Sequence, residues 1–139
     1  MRIEQANYSN QEDIEHISAI EDAVFFENAL GEGTLRREIE YGYCAVLRDD
    51  MDVIVGFALV RPHFELHDLL RLGVMPCFQG RGYGSWLLSH VITRFPGPMM
   101  LMVRKNNARA ISLYERNNFV ITGTTGESWV MRRSTSEPP

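Results

Sequence analysis

The 139-residue sequence holds only two cysteines, Cys44 and Cys77. They are too few for a disulfide framework and lack the clustered spacing of zinc ligands, so two free thiols are expected. Long apolar runs are missing as well. Hydrophobic residues make up 45% of the chain, yet none of its stretches approaches the roughly 18 uninterrupted apolar residues that a membrane span needs. Positive charge is in deficit: fourteen Lys and Arg face eighteen Asp and Glu, for a net charge of −4. That balance argues against nonspecific adhesion to nucleic acid or to an anionic membrane. After Met1, Arg2-Ile3-Glu4-Gln5 carries an acid and no apolar stretch of the kind a secretory signal has. A cytoplasmic protein is expected.

The length suits one domain, expected over residues 1–133 with 134–139 a frayed tail. A short strand at Arg2 to Glu4 leads to Asn10, a helix cap, followed by Ile14, Ile17, Ile20 and Val24 at helical spacing. Gly31-Glu32-Gly33 interrupts the chain, and Thr34 is read as the cap of a short helix ending at Gly42. Tyr43 to Leu47 and Val53 to Val60 read as a hairpin around Asp49-Asp50-Met51-Asp52. The segment His67 to Val74 is apolar on both faces, as a central strand covered by helices would be. Gln79-Gly80-Arg81-Gly82-Tyr83-Gly84 then opens a helix with Leu87, Leu88, Val91 and Ile92 on one stripe, stopped by Pro96-Gly97-Pro98. Met99 to Val103 forms another strand, Asn107 caps a helix to about Asn117, and Phe119 to Met131 closes as a hairpin. This βαβα order implies locally parallel strands.

Three glycines at alternate positions before a helix let successive backbone N–H groups converge beside the positive end of the helix dipole, a cradle suited to phosphate. Arg81 and Gln79 could add a charge and a donor, which favours a diphosphate over a carboxylate. The same glycines would also serve a tight strand-to-helix turn with no ligand, and the spacing alone leaves both readings open. A nucleoside-triphosphate loop needs Gly-Lys-Ser/Thr, whereas Gly84-Ser85-Trp86 stands here. A dinucleotide fingerprint has a different glycine spacing and usually belongs to a first βαβ unit.

The loop Gln79 to Gly84 resembles the acetyl-coenzyme A loop of the GNAT family of N-acetyltransferases, Gln/Arg-x-x-Gly-x-Gly/Ala. Leu70 to Pro76 and Trp86-Leu87-Leu88 look like the family's central strand and helix. Val103-Arg104-Lys105-Asn106-Asn107 through Phe119 is similar to its strand, Asn-capped helix and exit turn. One departure is Asn118, where the family usually has glycine; Asn also tolerates the left-handed conformation. The resemblance implies an α/β fold with a mixed central β-sheet flanked by helices and splayed central parallel strands.

It also implies a function: transfer of the acetyl group of acetyl-CoA directly to a primary amine of a small molecule or protein, with no metal. The cofactor-binding residues implied are Leu72, Gly73 and Val74, whose backbone would meet the pantetheine arm and thioester, with Gln79, Gly80, Arg81, Gly82, Tyr83, Gly84, Ser85, Asn107 and Ala110. Tyr114 matches the family tyrosine that protonates the departing thiolate. Asp68 aligns with the glutamate base of the histone-acetylating branch, with Glu65, His67 or water as alternatives. In the ribosomal-protein branch a glutamate stands where this chain has Met102.

Phe25, Phe26, Phe64 and Trp129 are candidates for an amine pocket. A metal held by His63, Glu65 and His67 is disfavoured, because such residues are common on solvated edges. The acceptor itself is not legible: protein N-terminus, lysine, small amine, amino sugar and an amine on a nucleic acid all remain open, as does a homodimer. A non-catalytic module that senses acyl-coenzyme A is the alternative function.

Overall fold

The computed structural model describes residues 1–134, so the tail expected at 134–139 lies, apart from Ser134, outside the described residues. The aliphatic and β-branched stretches form seven strands: β1 (Arg2–Gln5), β2 (Tyr43–Arg48), β3 (Ile54–Arg61), β4 (His67–Val74), β5 (Met99–Arg104), β6 (Val120–Thr125) and β7 (Ser128–Arg133). They join in one sheet of order β1-β2-β3-β4-β5-β7-β6. Helices α1 (Gln11–Phe25), α2 (Glu32–Tyr41), α3 (Tyr83–Arg94) and α4 (Ala108–Arg116) complete the fold. No helix among the described residues is long and apolar enough to cross a membrane.

The sheet separates two cores. Ile14, Ile17 and Ile20 of α1 and Leu35 and Ile39 of α2 pack on Cys44, Val46, Phe57 and Leu59. On the opposite face, Leu87, Leu88 and Val91 of α3 meet Ala45, Leu47, Ala58 and Leu69, with Tyr114 of α4 in the same cluster. The alternation of β2 and β3 thus feeds both faces, which is why these strands read as nearly continuous apolar runs.

The caps explain most helix boundaries. Asn10 accepts from the Asp13 N–H at 3.2 Å and Asn107 from the Ala110 N–H at 3.1 Å. The second helix departs from expectation: it begins at Glu32 with Gly31 as its cap, and the Leu35 N–H donates to the Gly31 carbonyl at 2.9 Å. Thr34 therefore lies inside the first turn. At the end of α4, Asn118 takes the left-handed conformation (φ 70°) while the Phe119 N–H returns to the Tyr114 carbonyl at 3.1 Å.

The feature that positions the site is the partnership of β4 and β5, the sheet's one parallel pair. They pair over only three positions, His67, Asp68 and Leu69 with Met99, Met100 and Leu101. Beyond Leu69 the strands part, as the resemblance implied. A bulge coincides with the parting: Val60 pairs with Leu69 but Leu59 pairs with Arg71, leaving Leu70 as the extra residue. Two adjacent side chains, Leu70 and Arg71, consequently face the α1 side together, Leu70 against that core and Arg71 against Glu21.

Gly42 joins α2 to β2 where no side chain fits: an added Cβ would stand 2.5 Å from the Val60 carbonyl oxygen and 2.7 Å from that of Glu38. Both obstacles are backbone. Gly42→Ala is expected to lower stability by about 1–3 kcal/mol, read as a lower urea midpoint at unchanged slope; an unchanged midpoint would mean that the α2–β2 junction shifts freely.

Candidate active site

A cavity of about 480 Å³ opens where β4 and β5 separate. Its lining includes Leu72, Gly73, Val74, Gln79, Gly80, Gly82, Tyr83, Gly84, Ser85, Asn107, Ala110 and Tyr114. Eleven proposed cofactor residues and the proposed acid are thereby brought to one place. The same cavity is lined by Phe26, which the sequence reading places with an amine pocket, and by Arg109 and Arg116, which are not among the cofactor residues named from the sequence.

The end of β4 offers backbone donors. The Met75 N–H donates to the Val55 carbonyl at 2.9 Å, so the residues in phase with it, Gly73 and Arg71, direct their backbone groups to β3. Antiparallel alternation then turns those of Leu72 and Val74 to the other edge, toward the gap. The Val74 carbonyl accepts from Gln79 Nε2 at 2.9 Å, and the Leu70 carbonyl from Arg71 at 3.3 Å. That leaves the amides of Leu72 and Val74 facing the cavity.

The glycine loop leads straight into α3. Gly80 and Gly82 sit at φ 80° and 88°, conformations that cost an ordinary residue about 1–2 kcal/mol. The first helical bond is Trp86 N–H to Gly82 O at 3.0 Å, so the Tyr83, Gly84 and Ser85 amides precede the ladder and point from a helix N-terminus. Two details differ from the sequence reading. Gln79 uses one amide N–H on the Val74 carbonyl and its oxygen on Arg109, which donates to it at 3.3 Å, so it secures the loop and has one N–H left for a ligand. The Arg81 guanidinium lies over the Phe78 ring, 5.5 Å from its centroid, and does not line the cavity; Arg109 and Arg116 bring the positive charge.

Tyr114 is 7% exposed and packs edge-on against Phe119, ring centroids 5.8 Å apart. Burial pushes its hydroxyl well above the ordinary tyrosine range, so the phenol stays protonated across physiological pH.

Asp68 lies elsewhere. Together with Leu69, Leu70 and Arg71 it lines a second groove of about 420 Å³, shared with Leu30, Thr34 and Glu38 of the α1–α2 region, Arg61 of β3, and Met100 and Met102 of β5. Consecutive residues of one strand thus line two hollows, 68–71 the groove and 72–74 the cavity. In the groove, Arg61 pairs with Glu38 at 2.5 Å. Arg71 is held by the fully buried Glu21 at 3.1 Å, donates to the Asn28 carbonyl at 2.8 Å and covers the Phe25 ring at 4.6 Å.

His67 does not join Asp68: its ring packs on Phe95, centroids 5.1 Å apart, and it lines neither hollow. His63, Glu65 and His67 form no metal-holding group among the described residues. The expected aromatic pocket is not assembled either. Phe26 lines the cavity, Phe25 lies under Arg71, Phe64 is fully exposed, and Trp129 carries Lys105 over its ring at 4.5 Å.

The loop geometry makes a direct prediction. Gly82→Ala strains the turn ahead of α3, and with the loop as an anion cradle it is expected to give a smaller rise in Tm on adding coenzyme A than the unsubstituted protein. An undiminished rise would remove the helix N-terminus from the binding site.

Comparison with known proteins agrees with this geometry. The family model described as "Acetyltransferase (GNAT) family" matches residues 4–119. The [Ribosomal protein bS18]-alanine N-acetyltransferase of Salmonella typhimurium is 39% identical over 72 residues, 49% of this chain and 49% of that protein, so the match spans about half the length of the curated relative. Two solved structures share the fold. The ribosomal-protein-S18-alanine N-acetyltransferase of Escherichia coli superposes with TM-score 0.82 at 24% identity, covering 99% of this chain and 96% of that one. The PaiA N-acetyltransferase of Thermoplasma acidophilum, in complex with coenzyme A, gives 0.80 at 19% identity over 96% and 99%. With its parted β4 and β5, its glycine loop ahead of α3 and a family match over most of its length, the chain belongs to the GNAT acetyltransferase family.

Proposed function

We propose that this protein transfers the acetyl group of acetyl-coenzyme A directly to a primary amine, without a covalent enzyme intermediate. The observation that supports the reading is the pair of hollows lined by successive residues of β4, which suits a donor site and an acceptor site next to each other along one parted strand. In this reading the diphosphate rests on the Tyr83, Gly84 and Ser85 amides, with Arg109 and Arg116 adding charge. The pantetheine arm takes the place of the missing strand beside Leu72 and Val74.

The Leu72 N–H points to where the thioester carbonyl oxygen gathers negative charge as the amine attacks. A fixed backbone donor of this kind contributes about 3 kcal/mol to a barrier. Tyr114 donates its hydroxyl proton to the departing sulfur. Its raised pKa makes proton transfer to an ordinary thiolate uphill, so donation accompanies C–S cleavage, and the same burial disfavours a free thiolate.

The amine must arrive from the groove that contains Asp68. An alkylammonium group near pKa 10.4 loses its proton at a cost of about 4 to 5 kcal/mol at pH 7, and Asp68 is the carboxylate on that side assigned to assist. The acceptor named for the Salmonella typhimurium relative, an alanine of ribosomal protein bS18, makes a peptide N-terminus the first acceptor to try.

Free thiol release from acetyl-coenzyme A, followed with an alanine-initiated peptide, a lysine peptide, spermidine and glucosamine, is expected to depend on one member of the set. Tyr114→Phe should lower kcat about 10²-fold with little change in the KM for acetyl-coenzyme A or in Tm, because a phenylalanine ring keeps the packing against Phe119. Binding of acetyl-coenzyme A without release for any amine would favour a sensing module. Wild-type turnover in Tyr114→Phe would remove the proposed acid.

A further inference from the structure

We propose that His63 is the group that takes the proton of the acceptor amine, and that Asp68 acts by positioning it. The inference rests on the acetyltransferase reading and goes beyond it by separating the proton acceptor from the carboxylate.

His63 lies in the connection between β3 and β4, and its Nε2 stands 3.3 Å from Asp68 Oδ2. Asp68 in turn lines the groove on the acceptor side. A carboxylate against Nε2 favours the tautomer with its proton on that nitrogen, which leaves the Nδ1 lone pair to accept another. The Nδ1 atom makes no hydrogen bond among the described residues, and the side chain is 54% exposed, so it can return its proton to water; His63 adjoins the groove through Asp68 and is not itself part of the lining. The backbone N–H of His63 donates to His67 Nδ1 at 3.4 Å, which steadies the loop from the other side.

General chemistry favours this division of labour. An alkylammonium group is about 6 to 7 pH units more basic than an ordinary aspartate, but only about 4 above an ordinary imidazole. A proton therefore passes to imidazole with a far smaller uphill step than to carboxylate. The other charges near the pair are Arg61, which is paired with Glu38 and acts on Asp68 through space, and Glu65 two residues along the loop.

The ammonium gives one proton to His63 Nδ1, which passes it to water. The neutral nitrogen then forms the C–N bond at the thioester carbon, the C–S bond breaks, the sulfur takes the Tyr114 proton, and the second proton lost from nitrogen as the amide forms goes to water, from which Tyr114 is reprotonated.

The test uses the full-length chain with the amine that the wild-type protein acetylates. His63→Gln is expected to lower kcat about 10²-fold, to leave the KM for acetyl-coenzyme A and the Tm unchanged, and to abolish the acidic limb of the kcat/KM profile. Added imidazole should restore part of the activity of His63→Ala, which a purely structural role would not allow. Asp68→Asn should cost less, and ring nitrogen NMR should show the Nε2-protonated tautomer of His63 in the wild type and its loss in Asp68→Asn. Wild-type rates and an unaltered profile in His63→Gln, or an Nδ1-protonated ring in the wild type, would overturn the proposal alone. Absence of thiol release by the wild type with every amine would overturn the acetyltransferase reading and this proposal together.

Discussion

Two neighbouring parallel strands that stop pairing after three positions leave a row of backbone groups with no strand across from them. In most sheets such an interruption would expose donors and acceptors at a cost. Here the Val74 carbonyl is met by Gln79, the Leu70 carbonyl by Arg71, and the Leu72 amide faces a cavity. The interruption is the candidate site. Everything else in the fold either holds the strands apart or furnishes what enters between them.

The restraints on β4 come chiefly from the α1 side. Glu21 and Arg71 form an ion pair whose carboxylate is fully buried, and Glu21 also accepts from the Leu30 N–H at 2.7 Å, which ties the α1–α2 segment to the bulge. Burial pushes the Glu21 carboxyl above the usual carboxylate range, even though the Leu30 amide and Arg71 act the other way. Removing one partner of such a pair typically costs 3–5 kcal/mol, so the pair fixes where the bulge lies more than it adds net stability. Gly73 deepens the constraint, because a Cβ there would meet Ile20, Phe57 and Phe25 at 3.3 to 3.4 Å. At the far end of α1, Asp13 pairs with Arg48 of β2 at 2.8 Å, so the helix is anchored to the sheet at both ends.

Local chemistry made much of this legible in the sequence. The apolar run His67 to Val74 marks β4 at its true bounds, and the asparagine caps of α1 and α4 are where short polar side chains should be. The cap of α2 falls at Gly31 and not at Thr34 because Gly31 makes the turn with no side-chain bond, and a glycine before a helix leaves no side-chain acceptor to read. Long-range features were harder. Arg81 precedes the helix in sequence, but an aromatic ring draws it away, whereas Arg109 reaches the loop from another helix. The separation of Asp68 from the larger cavity follows from the bulge at Leu70, which exists only in the pairing with β3. A strand read alone carries no record of that.

The account stands or falls on the Leu72 amide facing the thioester. The most direct measurement is the infrared carbonyl stretch of acetyl-coenzyme A labelled with carbon-13 at the thioester carbon, free and bound to the protein. A fixed backbone donor predicts a lower stretching frequency on binding, from a carbonyl already polarised before any amine arrives. A bound frequency equal to that in water or higher would contradict the account, since it would place the thioester away from the parted edge of β4.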